Sequence, residues 1–277
     1  MFTGLQVRFL KTFFPGAPGS CDGSAYLGKS KLDVLLGAEY LARLAGKTVV
    51  DFGCGEGADA VEMVKRGAKR VIGIDIREDV LRRARQAVTE ECKWPNCGPT
   101  ISKQCIWPRC SFTLATEELA DVIVSIDAFE HFSDPGAILR AMYELLKPAG
   151  EVLISFGPTW YHPLGGHLFS VFPWAHLLLS ERALIEWRSS FKTDGATRFG
   201  EVAGGLNQMT ITQFERLVEA SPFRIASLTL VPIRPLRRCH NRWTREFTTA
   251  TVRCRLVKSS IGANATDDAN EHALARQ

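Results

Sequence analysis

Val49-Val50-Asp51-Phe52-Gly53-Cys54-Gly55-Glu56-Gly57 carries the densest chemical signal in the 277-residue chain. Two β-branched residues lead into an acidic one, and three glycines then follow at alternate positions. Ala58 to Val64 continues with helical spacing, so the stretch reads as strand, tight loop and helix. Glycine allows a sharp turn and lets a ligand lie against the backbone with no Cβ in the way. The loop's N–H groups and the helix N-terminus present partial positive charge to that ligand. Asp51, Gly53, Cys54, Gly55 and Gly57 are therefore candidate binding residues. Asp75 ends the apolar run Val71-Ile72-Gly73-Ile74, where a carboxylate can hold both hydroxyls of a ribose.

Histidines supply the candidates for proton transfer, because imidazole titrates near neutral pH. His131 follows Asp127-Ala128-Phe129-Glu130. His162 and His167 flank Pro163-Leu164-Gly165-Gly166, a loop able to bend over a substrate. A lone histidine is more often a hydrogen-bonded structural residue, and that reading stands beside the catalytic one for each. A second constellation is an internal repeat: Cys92-Lys93-Trp94-Pro95-Asn96-Cys97 returns as Cys105-Ile106-Trp107-Pro108-Arg109-Cys110. Four thiolates suit tetrahedral zinc in a closed, structural site. The alternative is a duplicated surface loop with free thiols. Cys110 lies where the third strand is expected to begin.

The glycine loop fits two templates. Gly53-x-Gly55-x-x-Ala58 matches a degenerate dinucleotide fingerprint. Asp51-x-Gly53-x-Gly55-x-Gly57 resembles the first motif of the class I S-adenosylmethionine-dependent methyltransferases. Asp121-Val122-Ile123-Val124-Ser125-Ile126-Asp127-Ala128-Phe129-Glu130-His131 resembles the fourth motif of the small-molecule members. Leu145-Leu146-Lys147-Pro148-Ala149-Gly150-Glu151-Val152-Leu153-Ile154-Ser155 resembles the motif after it. The resemblance covers Thr48 to Gly157, with weaker support from Thr210 to Val257. It implies a doubly wound, mostly parallel seven-stranded α/β sheet, with an N-terminal helical cap and an inserted lid. It implies S-adenosylmethionine as cofactor, with Gly53 and Gly55 against its methionine portion, Asp75 on its ribose, Ile76 on its adenine and Asp127 near the methionine end. The adenine contact expected after the third strand is replaced by Leu114-Ala115-Thr116-Glu117.

The implied organisation is an N-terminal segment and cap helix over 1–45, a methyltransferase domain over 46–258, and a tail over 259–277 that reads as disordered. The cysteine-rich insertion at 92–110 and a substrate lid at 158–205 interrupt the domain. Leu32, Leu35, Leu36, Tyr40 and Leu44 predict one amphipathic helix over 27–44. Asp134-Pro135 and Thr210-x-x-Gln213 are helix starts. Arg224–Val231 and Thr248–Val257 are late strands, the last of them antiparallel by resemblance.

An apolar fraction of 45% suffices for a core. The N-terminus, interrupted by Arg8, Lys11 and Pro15, does not read as a secretory signal. No apolar run approaches a membrane span. Eight cysteines without a signal read as reduced thiols, which makes the cytoplasm the expected compartment. Five arginines between Arg234 and Arg245, with Trp243 among them, could bind RNA or an anionic substrate group. A net charge of +4 is too mild to favour nucleic acid. The activity the resemblance implies is methyl transfer to a small acceptor, apolar or anionic, at oxygen, with nitrogen or carbon left open. A nucleic-acid-directed methyltransferase or binding module and an NAD-dependent oxidoreductase are the alternatives.

Overall fold

The computed structural model describes residues 2–17, 30–91, 105–106, 119–202 and 205–259; for 87–91 and 105–106 only the backbone is described. Seven strands form one sheet: β1 (Thr48–Phe52), β2 (Arg70–Ile74), β3 (Cys105–Ile106), β4 (Ala120–Ile126), β5 (Leu146–Phe156), β6 (Phe223–Pro232) and β7 (Thr249–Lys258). Their order is β3-β2-β1-β4-β5-β7-β6. β1 to β5 run parallel, and β7 inserts antiparallel between β5 and β6. The order reverses between β1 and β4, the crevice where open α/β sheets bind ligands.

Strand residues alternate between two cores. Val49, Val71, Val122, Val124 and Leu153 point to one face, while Val50, Ile72, Ile123, Val152 and Ile154 point to the other. Both faces are covered, so the central strands are apolar throughout rather than alternately polar. Helices α2 (Lys31–Leu35), α3 (Ala38–Ala42) and α4 (Ala58–Lys65) cover the first face. Helix α5 (Glu78–Glu91) follows β2. Helices α6 (Pro135–Leu145) and α9 (Ile211–Glu219) cover the second face through Leu139, Met142, Ile211, Phe214 and Val218.

The single helix expected over 27–44 is two short ones. Gly37 stands between them at φ 80°, a left-handed conformation that breaks the helix and redirects the chain into α3. The other start signals behave as expected. Asp134 accepts from the Ala137 N–H with Pro135 in the first turn. Thr210 and Gln213 exchange both bonds of a capping box. The third strand forms five residues before Cys110, at Cys105–Ile106, where β-branched Ile106 pairs with Ile72.

A third core lies outside the sheet. Phe169, Leu184, Ile185, Trp187 and Phe199 of segment 158–205, with Leu206 just after it, cluster with Leu10 of α1 (Phe2–Phe13). α7 (Ala175–Leu178) and α8 (Glu181–Arg188) belong to the lid, and α1 packs on α8. Among the described residues before 46, α1 thus packs on segment 158–205, and α2 and α3 pack on the sheet. Residues 260–277 lie outside the described residues. No described helix is long and apolar enough to cross a membrane.

Candidate active site

The loop between β1 and α4 has Gly53, Gly55 and Gly57 at φ 86°, 53° and 83°. L side chains rarely adopt these values, which accounts for the alternate glycines. The surroundings differ. A Cβ on Gly53 would lie 2.7 Å from the Ala128 Cβ, whereas one on Gly55 would meet nothing within 4 Å. The backbone is therefore closed behind Gly53 and open in front of Gly55.

Acidic groups surround this opening. Asp51 is 2% exposed, and its Oδ2 has no hydrogen-bond partner among the described residues. Burial, reinforced by Asp59, pushes its pKa up to about 8, against the pull of Lys31. The Lys31 ammonium bridges Asp59 at 3.3 Å and Asp127 at 3.5 Å. Burial alone would lower the Lys31 pKa, but these two carboxylates raise it overall. Asp127 sits just past β4 at φ 48°, in left-handed backbone.

Asp75 is buried, yet its oxygens are engaged. It accepts from the Gly55 N–H at 3.0 Å, from the Arg77 N–H at 2.9 Å and from Arg77 Nε at 3.1 Å. Burial acts to raise its pKa, but these bonds hold it below the usual carboxylate range. A ribose reaching Asp75 would therefore exchange with the Arg77 guanidinium. Ile76 beside it is 80% exposed, an uncovered apolar surface at the end of β2.

Beyond Asp127 the chain turns through Phe129–His131. Phe129 anchors this turn against Phe132, Phe156 and Phe214 at ring separations of 5.3–5.8 Å. Asn207 secures it from just past segment 158–205, donating to the Phe129 and Phe132 carbonyls at 2.8 and 2.9 Å. Glu130 is 2% exposed, and burial followed by the charge of Asp127 raises its pKa. Its Oε1 accepts from the Gly157 N–H at 3.3 Å. His131 Nδ1 lies 2.7 Å from the Gly205 carbonyl.

The three candidate histidines differ in their surroundings. The His131 and His167 rings meet edge to face at 5.2 Å. Burial, then the neighbouring histidines, pushes the His167 pKa down to about 4. His162 instead closes its own turn, with Nδ1 accepting from the Leu164 N–H at 2.9 Å. Gly165 and Gly166 are packed rather than hinged: added Cβ atoms would lie 2.2 Å from the Thr159 carbonyl and 2.4 Å from the His176 Cβ. Of the cysteine repeat, Cys92, Cys97 and Cys110 lie outside the described residues, and Cys105 is described only as backbone of β3.

Lys31 and Asn207 are functional candidates that the sequence reading missed. A lysine at a helix start and an asparagine in a loop carry no spacing signal. The arginine run divides in the fold. Arg245 is spent on Glu215 with its Nη1 at 2.7 Å, and Arg242 stacks over Trp243 at 4.5 Å. Arg234, Arg237 and Arg238 line an open cavity of about 440 Å³. This cavity lies on the connection from β6 to β7, whereas the glycine loop follows β1.

The profile of the methyltransferase-domain family matches residues 30–228. The chain belongs to that family. The methyltransferase match takes in the glycine loop, Asp75, Asp127 and the whole of segment 158–205, and it sets aside the NAD-dependent oxidoreductase. The chain is 35% identical over 119 residues to a ubiquinone biosynthesis O-methyltransferase of Acinetobacter baylyi, covering 42% of this chain and 46% of that protein. It is 38% identical over 112 residues to the protein of the same name in Stutzerimonas stutzeri, covering 40% of this chain and 45% of that one. It thus matches less than half the length of these relatives. The solved structure of the glycopeptide N-methyltransferase MtfA with S-adenosylmethionine superposes with a TM-score of 0.50 at 13% identity, over 80% of this chain and 85% of that one. At that identity the likeness concerns the fold.

Proposed function

We propose that this methyltransferase transfers a methyl group from S-adenosylmethionine to an oxygen of a small acceptor. The observation that carries the reading is Gly55, which is left-handed, open in front, and set on the loop between β1 and α4. The buried Asp51 oxygen without a partner among the described residues fits a polar ligand in the same place.

Bound there, S-adenosylmethionine supplies a methyl group already activated by its sulfonium. The chain's own residues bind and align. The loop from Asp51 to Gly57 would hold the methionine portion, and Lys31 and Asp127 would offer both charge signs to its amino acid group. Asp75 would take the ribose once Arg77 yields, and Ile76 would cover the adenine. His131 and His167 would face the acceptor, while His162 would keep the lid turn in shape. Alignment of donor and acceptor is the main contribution asked of such a site. Oxygen as the atom methylated is supported by the names of the relatives, and an apolar acceptor by the aromatic lid.

The RNA-directed alternative retains Arg234, Arg237 and Arg238 as free basic surface and has no observation at the glycine loop in its favour. Zinc at the cysteine repeat has support from neither the fold nor the relatives. The test is label transfer from methyl-labelled S-adenosylmethionine to hydroxylated and aminated aromatic compounds, with RNA as a third acceptor. Label on a hydroxyl with matching S-adenosylhomocysteine release is expected. Label on RNA alone, or on no acceptor, would overturn the reading.

A further inference from the structure

Ile126, Ser155, Arg253 and Thr229 lie in one row across β4, β5, β7 and β6. The chain therefore leaves β6 at the edge of the sheet where Asp127 follows β4. The connection from β6 to β7, residues 233–248, stands on that edge beside the start of segment 158–205. A Cβ on Gly157 would lie 2.6 Å from the Ala250 carbonyl oxygen, and the Tyr161 ring meets Phe247 at 5.3 Å. The connection is closed on itself. The Ile233 N–H donates to the Thr248 carbonyl at 2.8 Å, and His240 Nδ1 lies 2.8 Å from Thr248 Oγ1. Glu246 fastens it to the start of α9, accepting from the Ile211 and Thr212 N–H groups at 2.9 and 2.8 Å.

Three arginines project from this frame. Arg234, Arg237 and Arg238 line the cavity of about 440 Å³, and none has an ion pair among the described residues. They sit on a 3₁₀ turn, Arg234–Cys239, where side chains three apart eclipse. Like charges lining one cavity repel unless an anion enters. Arginine's planar fork matches the oxygens of phosphate and carboxylate. A lone carboxylate brings one negative charge to three positive ones, whereas a phosphoryl group brings about −1.5 to −2 and three acceptor oxygens. The rings nearby do not form a stacking platform for successive bases. Arg242 lies over Trp243 at 4.5 Å, and Phe247 is engaged by Tyr161.

We propose that Arg234, Arg237 and Arg238 form a binding site for a phosphoryl group carried by the methyl acceptor. That the group belongs to the acceptor rests on the methyl-transfer reading; the anion site itself does not. Held there, the phosphoryl group anchors one end of the acceptor beside segment 158–205. Its reacting hydroxyl then reaches toward Asp127 and the glycine loop along the same edge of the sheet. Such an anchor spends binding energy at a distance from the reacting atoms to position them. The arginines thereby select acceptors by charge, and no step of the transfer itself passes through them.

The experiment is calorimetry of the full chain with inorganic pyrophosphate. Wild type should bind one pyrophosphate per chain, and the triple variant Arg234→Gln, Arg237→Gln, Arg238→Gln at least about a hundredfold more weakly. Removing three exposed charges elsewhere, by Arg8→Gln, Lys11→Gln and Arg224→Gln, should change the affinity less than about threefold. An unchanged circular-dichroism spectrum shows that a variant is folded, and the three single substitutions carry the test if the triple variant is not. Label transfer to a hydroxylated aromatic compound and to its phosphate monoester tests the acceptor. The monoester should have a KM at least about tenfold lower in wild type, and the triple variant should erase the difference. Phosphatidylglycerol vesicles that displace pyrophosphate would make the group a lipid headgroup, and failure to displace it a soluble phosphate; the site stands in both cases. No pyrophosphate binding, undiminished binding in the folded variant, or oligouridylate bound at the arginines in its place would overturn the site. Equal KM values in wild type would overturn the assignment to the acceptor. Pyrophosphate binding without S-adenosylhomocysteine binding would sink the methyl-transfer reading alone.

Discussion

Gly53 and Gly55 share a left-handed backbone but perform different tasks. A methyl group on Gly53 collides with the Ala128 Cβ at 2.7 Å, while one on Gly55 enters open space. Gly53→Ala should therefore cost about 1–3 kcal/mol of folding free energy, from the strained φ and the collision together. Gly55→Ala carries only the backbone cost of about 1–2 kcal/mol but should weaken S-adenosylmethionine binding at least tenfold, since its methyl group occupies the ligand's side of the loop. Urea unfolding and calorimetry of both variants separate the two effects, and the reverse pattern would contradict the assignment. The need for these glycines was legible in the sequence because backbone conformation is a local property. The approach of His131 to His167 was not, because it depends on how the lid folds back. Nor was the engagement of Asp75 by Arg77, since two charges two residues apart do not reveal which way they point.

Among the elements, the strands were easiest to read, because a sheet covered on both faces demands uninterrupted apolar runs. The break at Gly37 was hidden by an apolar stripe that continues across it. The lid's aromatic content was visible, but its core around Leu10 was not, because a helix far upstream supplies that residue. The lid also has a pH dependence. His162 is 9% exposed, and burial, with His176 adding to it, pushes its pKa down to about 4. An unfolded histidine titrates near 6.5. Between those values the folded chain binds fewer protons, so this contribution to stability is present above pH 6.5 and is lost as pH falls toward 4. Asp51, protonated up to about pH 8 when folded, acts in the opposite sense. The difference between wild type and His162→Gln isolates the histidine. The substitution should cost less at pH 5 than at pH 7, by up to about 2 kcal/mol in urea unfolding. An equal cost at both values would mean that His162 is not held neutral by the lid.

At the scale of the whole molecule, the sheet order places the glycine loop, Asp75 and Asp127 around one crevice, at the ends of β1, β2 and β4. Three motifs in sequence order were enough to anticipate the family, because the first two are strand ends carrying their own binding residues and the third is a helix end, turn and strand. The identity of the acceptor was not legible, because none of the recognisable motifs marks an acceptor or the atom methylated. The central claim is that the crevice is built for S-adenosylmethionine. Calorimetry of the full chain with S-adenosylmethionine, S-adenosylhomocysteine and NAD tests it most directly. The two sulfur ligands should bind with one-to-one stoichiometry and displace each other, and NAD should give no heat. Binding of NAD, or no binding of either sulfur ligand by folded protein, would contradict the account.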